Sequence, residues 1–374
     1  MKRSFRLTGV LFGIAAVLML AGCSEETGMI KAEDVRIDAV VRPTGQYPES
    51  FTVKYSADVS KKDVKAADFH MKGKAGSWGS NAAHDFEADF ESLTVKGDTI
   101  TLIPKDFPEK FFYVKSYEVK CNDPDLSFSN EDVSAVSTLV ADDFADLKAE
   151  GEKASFDYHL FTPDKTENMP IVVVFHGYGD TNNLLTYRTA VAWAEPKNQE
   201  IRPCYIMAPV IPDDKYFNAG ARANIIEEVM VLVRNMADEG KVDRERVYVM
   251  SNSFGGMTSI ELAEAYPDEV AGVMALCPAL MYSDSATANI SKMKDVPLFI
   301  LHAEHDGTIP FTDSQKAVDI LNKAGAKDAR LKGFTDEEMN AAGGSSDKDS
   351  TYSYHHVELA VMEDDSYMEW LYGL

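Results

Sequence analysis

The sequence predicts an α/β fold, a mostly parallel sheet with helices on both faces, preceded by a small all-β unit. Three observations carry this. The N-terminal third alternates apolar and polar residues in short runs, as in Val35-Arg36-Ile37-Asp38-Ala39-Val40, the period of strands with one wet face. Further along, the runs become continuous and apolar, as in Ile171-Val172-Val173-Val174-Phe175, which fits strands buried on both faces. Between those runs Ile225, Ile226, Val229, Leu232, Val233 and Met236 keep helical spacing, and strand-helix repetition builds a covered parallel sheet. A length of 374 residues suits two domains, on a prior of about 150 residues each.

The first residues stand outside both units. Met1-Lys2-Arg3-Ser4-Phe5-Arg6 is a basic n-region and Val10 to Leu20 an apolar h-region, too short and basic on one side only to read as a spanning helix. Leu20-Ala21-Gly22-Cys23 resembles the lipobox of bacterial lipoproteins. That resemblance implies removal of residues 1–22, lipid on Cys23, and a polar tether over 23–29. Acyl chains anchor without spanning, so the expected location is extracytoplasmic, on a bacterial membrane. The formal charge of -24 becomes more negative by three once Lys2, Arg3 and Arg6 are gone, which argues against nucleic acid as a partner. Cys121, Cys204 and Cys277 remain, an odd number, two of them in apolar runs; buried free thiols are expected rather than a disulfide framework.

Residues 30–140 predict a small β-sandwich. Phe51, Val53 and Tyr55 alternate, as do Thr99 to Ile103 and Tyr117 to Cys121, with Pro43-Thr44-Gly45, Gly97-Asp98 and Asn122-Asp123-Pro124 as turns. Ala141 to Ala154 is acidic and reads as the connector that opens the second unit, residues 141–374. In that unit apolar runs follow at Tyr205 to Met207, Val247 to Met250, Val270 to Leu276 and Val296 to Leu301. Parallel sheets hold their sites at the carboxyl ends of such strands.

The chemistry sits at those ends. Val247 to Met250 runs into Ser251-Asn252-Ser253-Phe254-Gly255-Gly256, the layout of a strained strand-to-helix turn that lifts a serine hydroxyl clear of its sheet. Ser253 is the candidate nucleophile. The small residue two before it is Ser251 where glycine is usual. After Phe175 comes His176-Gly177-Tyr178-Gly179-Asp180, a turn suited to present the Tyr178 N–H to an oxyanion, with the Phe254 N–H as second donor. After Leu301 comes His302-Ala303-Glu304-His305-Asp306-Gly307. Asp306 is the best-placed carboxylate to orient a histidine and Glu304 the weaker choice; the spacing lacks the continuation a metal site needs. Near the end, His355 or His356 is placed to act as general base. The order Ser, Asp, His is that of α/β-hydrolases. The polar segment Asp336 to Ser350 reads as a loop over the site.

On these residues, the region from Ala141 to Leu374 resembles secreted α/β-hydrolase esterases of the feruloyl esterase and polyhydroxybutyrate-depolymerase-like group. The shared features are His176-Gly177, the Ser251-to-Gly256 turn and His302 to Pro310. That group commonly has Trp-Leu fifteen positions after the base, and Trp370-Leu371 stands at that distance from His355. It usually also has Trp three positions after the base, where this chain has Glu358, so His356 stays open as the alternative. The resemblance implies a carboxylic-ester hydrolase that needs no metal or organic cofactor and acts on small or polysaccharide-linked esters, feruloyl groups among them. Some members carry an N-terminal immunoglobulin-like domain, which the 30–140 unit resembles in layout. Two rival readings share the sequence: a prolyl-oligopeptidase-like peptidase, disfavoured by the lack of propeller repeats, and a non-catalytic binding lipoprotein.

Overall fold

The computed structural model describes residues 29–77, 80–283, 287–350 and 352–374. The leader and the lipidation call at Cys23 lie outside the described residues. Among the described residues no helix is long and apolar enough to cross a membrane.

The first sheet comprises β1 (Ala32–Arg42), β2 (Gly45–Tyr55), β3 (Phe69–Ser77), β4 (Ser80–Lys96), β5 (Thr99–Lys105), β6 (Val114–Cys121), β7 (Phe128–Ser129) and β8 (Val133–Thr138). Its order is β7-β6-β3-β4-β5-β2-β1-β8, one hydrogen-bonded sheet where a two-sheet sandwich was expected. The cause is β4. Its first half pairs with β3 and its second half with β5, with a register shift between Phe90 and Ser92. A shift of this kind bends a strand and raises its twist, so one long strand joins what would otherwise be two sheets. The inward residues Val35, Ile37, Phe51, Val53, Met71, Phe90, Ile100, Leu102 and Val119 share a single core. Phe51 stands at its centre, edge-on to Phe90, Phe111 and Tyr117, the geometry that ring quadrupoles favour.

The second sheet comprises β9 (Ala145–Glu150), β10 (Ser155–Phe161), β11 (Met169–Val173), β12 (Tyr205–Pro209), β13 (Val242–Asn252), β14 (Gly272–Leu276), β15 (Leu298–Ala303) and β16 (Ala329–Phe334), in the order β16-β15-β14-β13-β11-β12-β10-β9. Strands β11 to β16 run parallel, while β10 meets both neighbours antiparallel. The expected connector is therefore in part a strand. Only Ala149 of β9 is buried, so the segment carries almost no apolar period to read.

Alternate residues of the parallel strands feed two cores. Ile171, Val173 and Phe175 face one, with the helices Ala219–Asp238, Ser253–Ala265 and Phe311–Lys323. Val172 and Val174 face the other, with Trp193, Val357, Val361 and Leu371. Strand order reverses at β11, whose neighbours are β12 and β13. Crevices open at such reversals, beyond the carboxyl ends of the strands. The two segments that leave this point are the 174–180 loop and the turn at Ser253. Asp336 to Ser350 is more ordered than a loop. The helix Asp336–Ala341 starts with a reciprocal cap between Thr335 and Glu338 and buries Met339. Cys121, Cys204 and Cys277 are buried and free.

Candidate active site

Ser253 begins a helix directly from β13 with φ +52, the left-handed region that non-glycine residues rarely occupy outside functional sites. The turn is tight because the helix passes close to β11. A Cβ on Gly255 would lie 2.3 Å from the Phe175 carbonyl oxygen, so the position two after the serine must be glycine. Ser251, two before it, has no exposure and is used. Its hydroxyl accepts the Phe175 N–H at 2.8 Å and lies 2.9 Å from the Ser259 hydroxyl. The departure from the usual glycine thus ties the end of β11 to β13.

His355 Nε2 lies 3.0 Å from Ser253 Oγ, and its Nδ1 lies 2.8 Å from Asp306 Oδ2. The structure brings these three residues together, Ser253 from the end of β13, Asp306 from just past β15, and His355 from the segment that follows the helix Asp336–Ala341. His356 takes no part; its Nδ1 is 3.0 Å from Glu358 Oε1. Asp306 is held by four donors. Oδ1 accepts the N–H groups of Thr308 and Ile309, and Oδ2 is 3.1 Å from His302 Nε2 as well as facing His355. Burial opposes ionisation of Asp306, but the hydrogen bonds from His302 and His355 outweigh it and hold the carboxyl well below its usual range. Glu304, the weaker candidate, is exposed. His305 turns away to Asp336 at 2.7 Å, so His302, Glu304 and His305 do not converge on a metal. Ligand-type atoms of Cys277, Asp306 and His355 do lie within 4.8 Å of one another, but the Asp306 and His355 atoms are engaged with each other and with Ser253.

Burial disfavours an imidazolium at His355, while the Cys277 sulfur and the Asp306 carboxylate beside it favour one, and the net effect raises its pKa well above 6.5. Burial also pushes the Cys277 thiol up, so that sulfur stays protonated and the Asp306 charge is the physical source. Only neutral His355 accepts a proton from serine. Activity is therefore lost as pH falls through the His355 value, and the acid limb of kcat/KM is expected above pH 6.5, checked by a pH profile on an uncharged ester.

The loop after β11 lies against the nucleophile. A Cβ on Gly177 would be 3.7 Å from Ser253 Cβ. The loop is braced by residues that carry no motif. Gly177 N–H donates to the buried Tyr187 hydroxyl, and the Tyr216 hydroxyl donates to the His176 carbonyl at 2.6 Å. His176 Nδ1 is 2.7 Å from the Gly177 carbonyl, and Nε2 accepts the Ile211 N–H at 2.9 Å. Burial lowers the His176 pKa to about 4, so this histidine is a neutral strut. Tyr178 follows, its ring 5.6 Å from that of Phe254. The Phe254 N–H lies in the first turn of its helix, where no intrahelical acceptor exists. Both amides named from the sequence thus belong to segments that border Ser253. Phe254 also packs on Phe217 and Tyr282, at 5.3 and 5.0 Å, and these two rings are about half exposed.

Comparisons with known proteins bear on the fold and on the class of enzyme. A family model described as Phospholipase/Carboxylesterase matches residues 212–342, a span that includes Ser253 and Asp306. No curated protein is similar enough in sequence to match. A solved structure described as a thermostable esterase aligns with a TM-score of 0.69 at 20% identity, over 91% of this chain and 98% of that one, a likeness of fold. Esterase 2 of Thermogutta terrifontis, phosphoramylated by tabun, aligns over 52% of this chain and 83% of its own at 15% identity and a TM-score of 0.41. The family match and the meeting of serine, histidine and aspartate mark the chain as a serine hydrolase of the esterase type.

Proposed function

We propose that the chain hydrolyses carboxylic esters through an acyl-enzyme on Ser253, outside the cytoplasm, anchored by lipid on Cys23. The observation that carries this is the position of His355, 3.0 Å from Ser253 Oγ on one side and 2.8 Å from Asp306 on the other. Ser253 Oγ attacks the ester carbonyl as His355 Nε2 takes its proton. Asp306 fixes the Nδ1–H tautomer and stabilises the imidazolium. The Tyr178 and Phe254 N–H groups receive the oxyanion. The tetrahedral adduct collapses, the C–O bond to the alcohol breaks, and His355 returns the proton to the departing oxygen. Water then repeats the sequence on the acyl-enzyme and frees the acid.

The half-exposed rings of Phe217 and Tyr282 beside Phe254 support an apolar or aromatic acyl group, feruloyl among them. The first sheet stands ahead of the catalytic unit, where some of the resembling esterases carry an immunoglobulin-like domain, but as one continuous sheet. The test is labelling of the chain from Ser24 onward with a fluorophosphonate, followed by peptide mapping. The expected adduct is on Ser253, abolished by His355→Ala and retained in His356→Ala. An adduct elsewhere, or none on folded protein, sinks the reading and returns weight to a binding lipoprotein.

A further inference from the structure

Tyr216 stands where the two segments that border Ser253 meet. It is fully buried, and its ring is edge-on to both residues whose amides are assigned to the oxyanion, 6.0 Å from the Tyr178 ring and 5.5 Å from the Phe254 ring. Tyr178 lies on the loop after β11 and Phe254 in the first turn of the helix from Ser253. Packing between these segments therefore sets how far apart the two amides stand. An oxyanion needs both donors about 3 Å away at once.

Tyr216 is in turn held at both ends. Its hydroxyl donates to the His176 carbonyl at 2.6 Å, two residues before Tyr178, and its own carbonyl accepts from Arg222 Nη1. The rest of that guanidinium grips Glu261 in a fork, Nε to Oε2 at 2.9 Å and Nη2 to Oε1 at 2.7 Å. Glu261 lies on the helix that begins at Ser253, and the Ser283 hydroxyl donates to its Oε1 at 2.5 Å. A line of contacts thus runs from the nucleophile helix through Glu261, Arg222 and Tyr216 to the loop after β11. The ion pair is buried, with 2% and 10% of the two side chains exposed. Desolvating such a pair offsets much of its attraction, and apolar side chains of the same volume serve stability as well. What the fork adds is fixed distance and direction. The base is held through other segments. The His355 carbonyl accepts the Cys277 S–H at 3.1 Å, and the hydroxyl of Tyr352, three residues before His355, is 2.9 Å from that of Tyr47 in the first sheet.

We propose that Tyr216, locked to the nucleophile helix by the Arg222–Glu261 pair, is the positioning residue that sets the separation of the two oxyanion donors. It acts on the transition state. The carbonyl of a bound ester is neutral, and negative charge reaches its oxygen only as Ser253 Oγ adds to the carbon. Ground-state binding and the titration of His355 do not depend on that separation.

This inference rests on the reading of the chain as an ester hydrolase with oxyanion donors at Tyr178 and Phe254. The test uses the chain from Ser24 with two changes. Tyr216→Phe keeps the ring and removes the hydroxyl. Arg222→Lys keeps a charge for Glu261 but loses the fork that also holds the Tyr216 carbonyl. Each is expected to lower kcat on a short acyl ester by roughly tenfold or more, with KM within about twofold. An alkyl trifluoromethyl ketone, which adds to Ser253 Oγ and leaves an oxyanion where the ester's would form, is expected to lose affinity by the same factor. The acid limb of the pH profile is expected to stay in place. The two changes together are expected to cost less than the product of the single effects, since both act through Tyr216. An unchanged kcat in folded Tyr216→Phe, a ketone affinity that holds while kcat falls, or a shifted acid limb overturns the proposal and leaves the hydrolase reading intact. Should Arg222→Lys fail to fold, Tyr216→Phe decides alone. An unaltered chain that takes no fluorophosphonate on Ser253 removes both.

Discussion

Ser253→Ala is expected to cut kcat by roughly 10⁴-fold or more, with KM little changed, because it removes the only atom that forms a bond to substrate. The variant is a clean test of chemistry. Alanine is no more strained than serine at φ +52, and the helix that starts there keeps its contacts. Gly255 still passes the Phe175 carbonyl, and Ser251 still holds the Phe175 N–H. Residual turnover above the uncatalysed rate reports the oxyanion donors alone. Steady-state kinetics on a short acyl ester with a matched melting curve decide it. A loss under tenfold at unchanged stability rules out Ser253 as the nucleophile.

Asp306→Asn is expected to cost nearly as much, about 10⁴-fold in kcat. Both carboxylate oxygens of Asp306 are fully used as acceptors, Oδ1 by two backbone N–H groups and Oδ2 by His302 and His355. An amide has one acceptor oxygen, so its NH2 must face either the backbone donors or the two histidines. Facing the histidines, it forces His355 to accept at Nδ1, which places a hydrogen on Nε2 and blocks proton abstraction from Ser253. The acid limb of the pH profile also moves down, since the charge that raises the His355 pKa is gone. Kinetics that stay within tenfold of the unaltered chain would mean that Asp306 is structural.

The strand-end residues were legible because each carries a physical demand that spacing exposes. Ser253 needs small neighbours where two backbones approach, and Gly255 stands where a Cβ would meet the Phe175 carbonyl at 2.3 Å. The choice between His355 and His356 was harder. Adjacent histidines differ only in where the backbone aims them, and the deciding partner of His356, Glu358, appears in sequence as a mere departure from a family pattern. Tyr187 and Tyr216 were invisible. They act through contacts across 10 and 40 residues, with no period or motif to mark them. The fold showed the same split. Strands buried on both faces, such as β11, announce themselves. The exposed edge strand β9 does not, and the single continuous first sheet depends on a register shift in β4 that composition cannot signal.

The hydrogen bond between Tyr47 and Tyr352 spans 305 positions of chain. Every strand pairing of the first sheet lies within residues 32–138, so its ladder closes on itself without the second unit. Tyr352 stands three residues before His355, and its bond to Tyr47 ties the loop that carries the general base to that self-sufficient sheet. The base that arms Ser253 is thus moored to the opposite end of the polypeptide from its own.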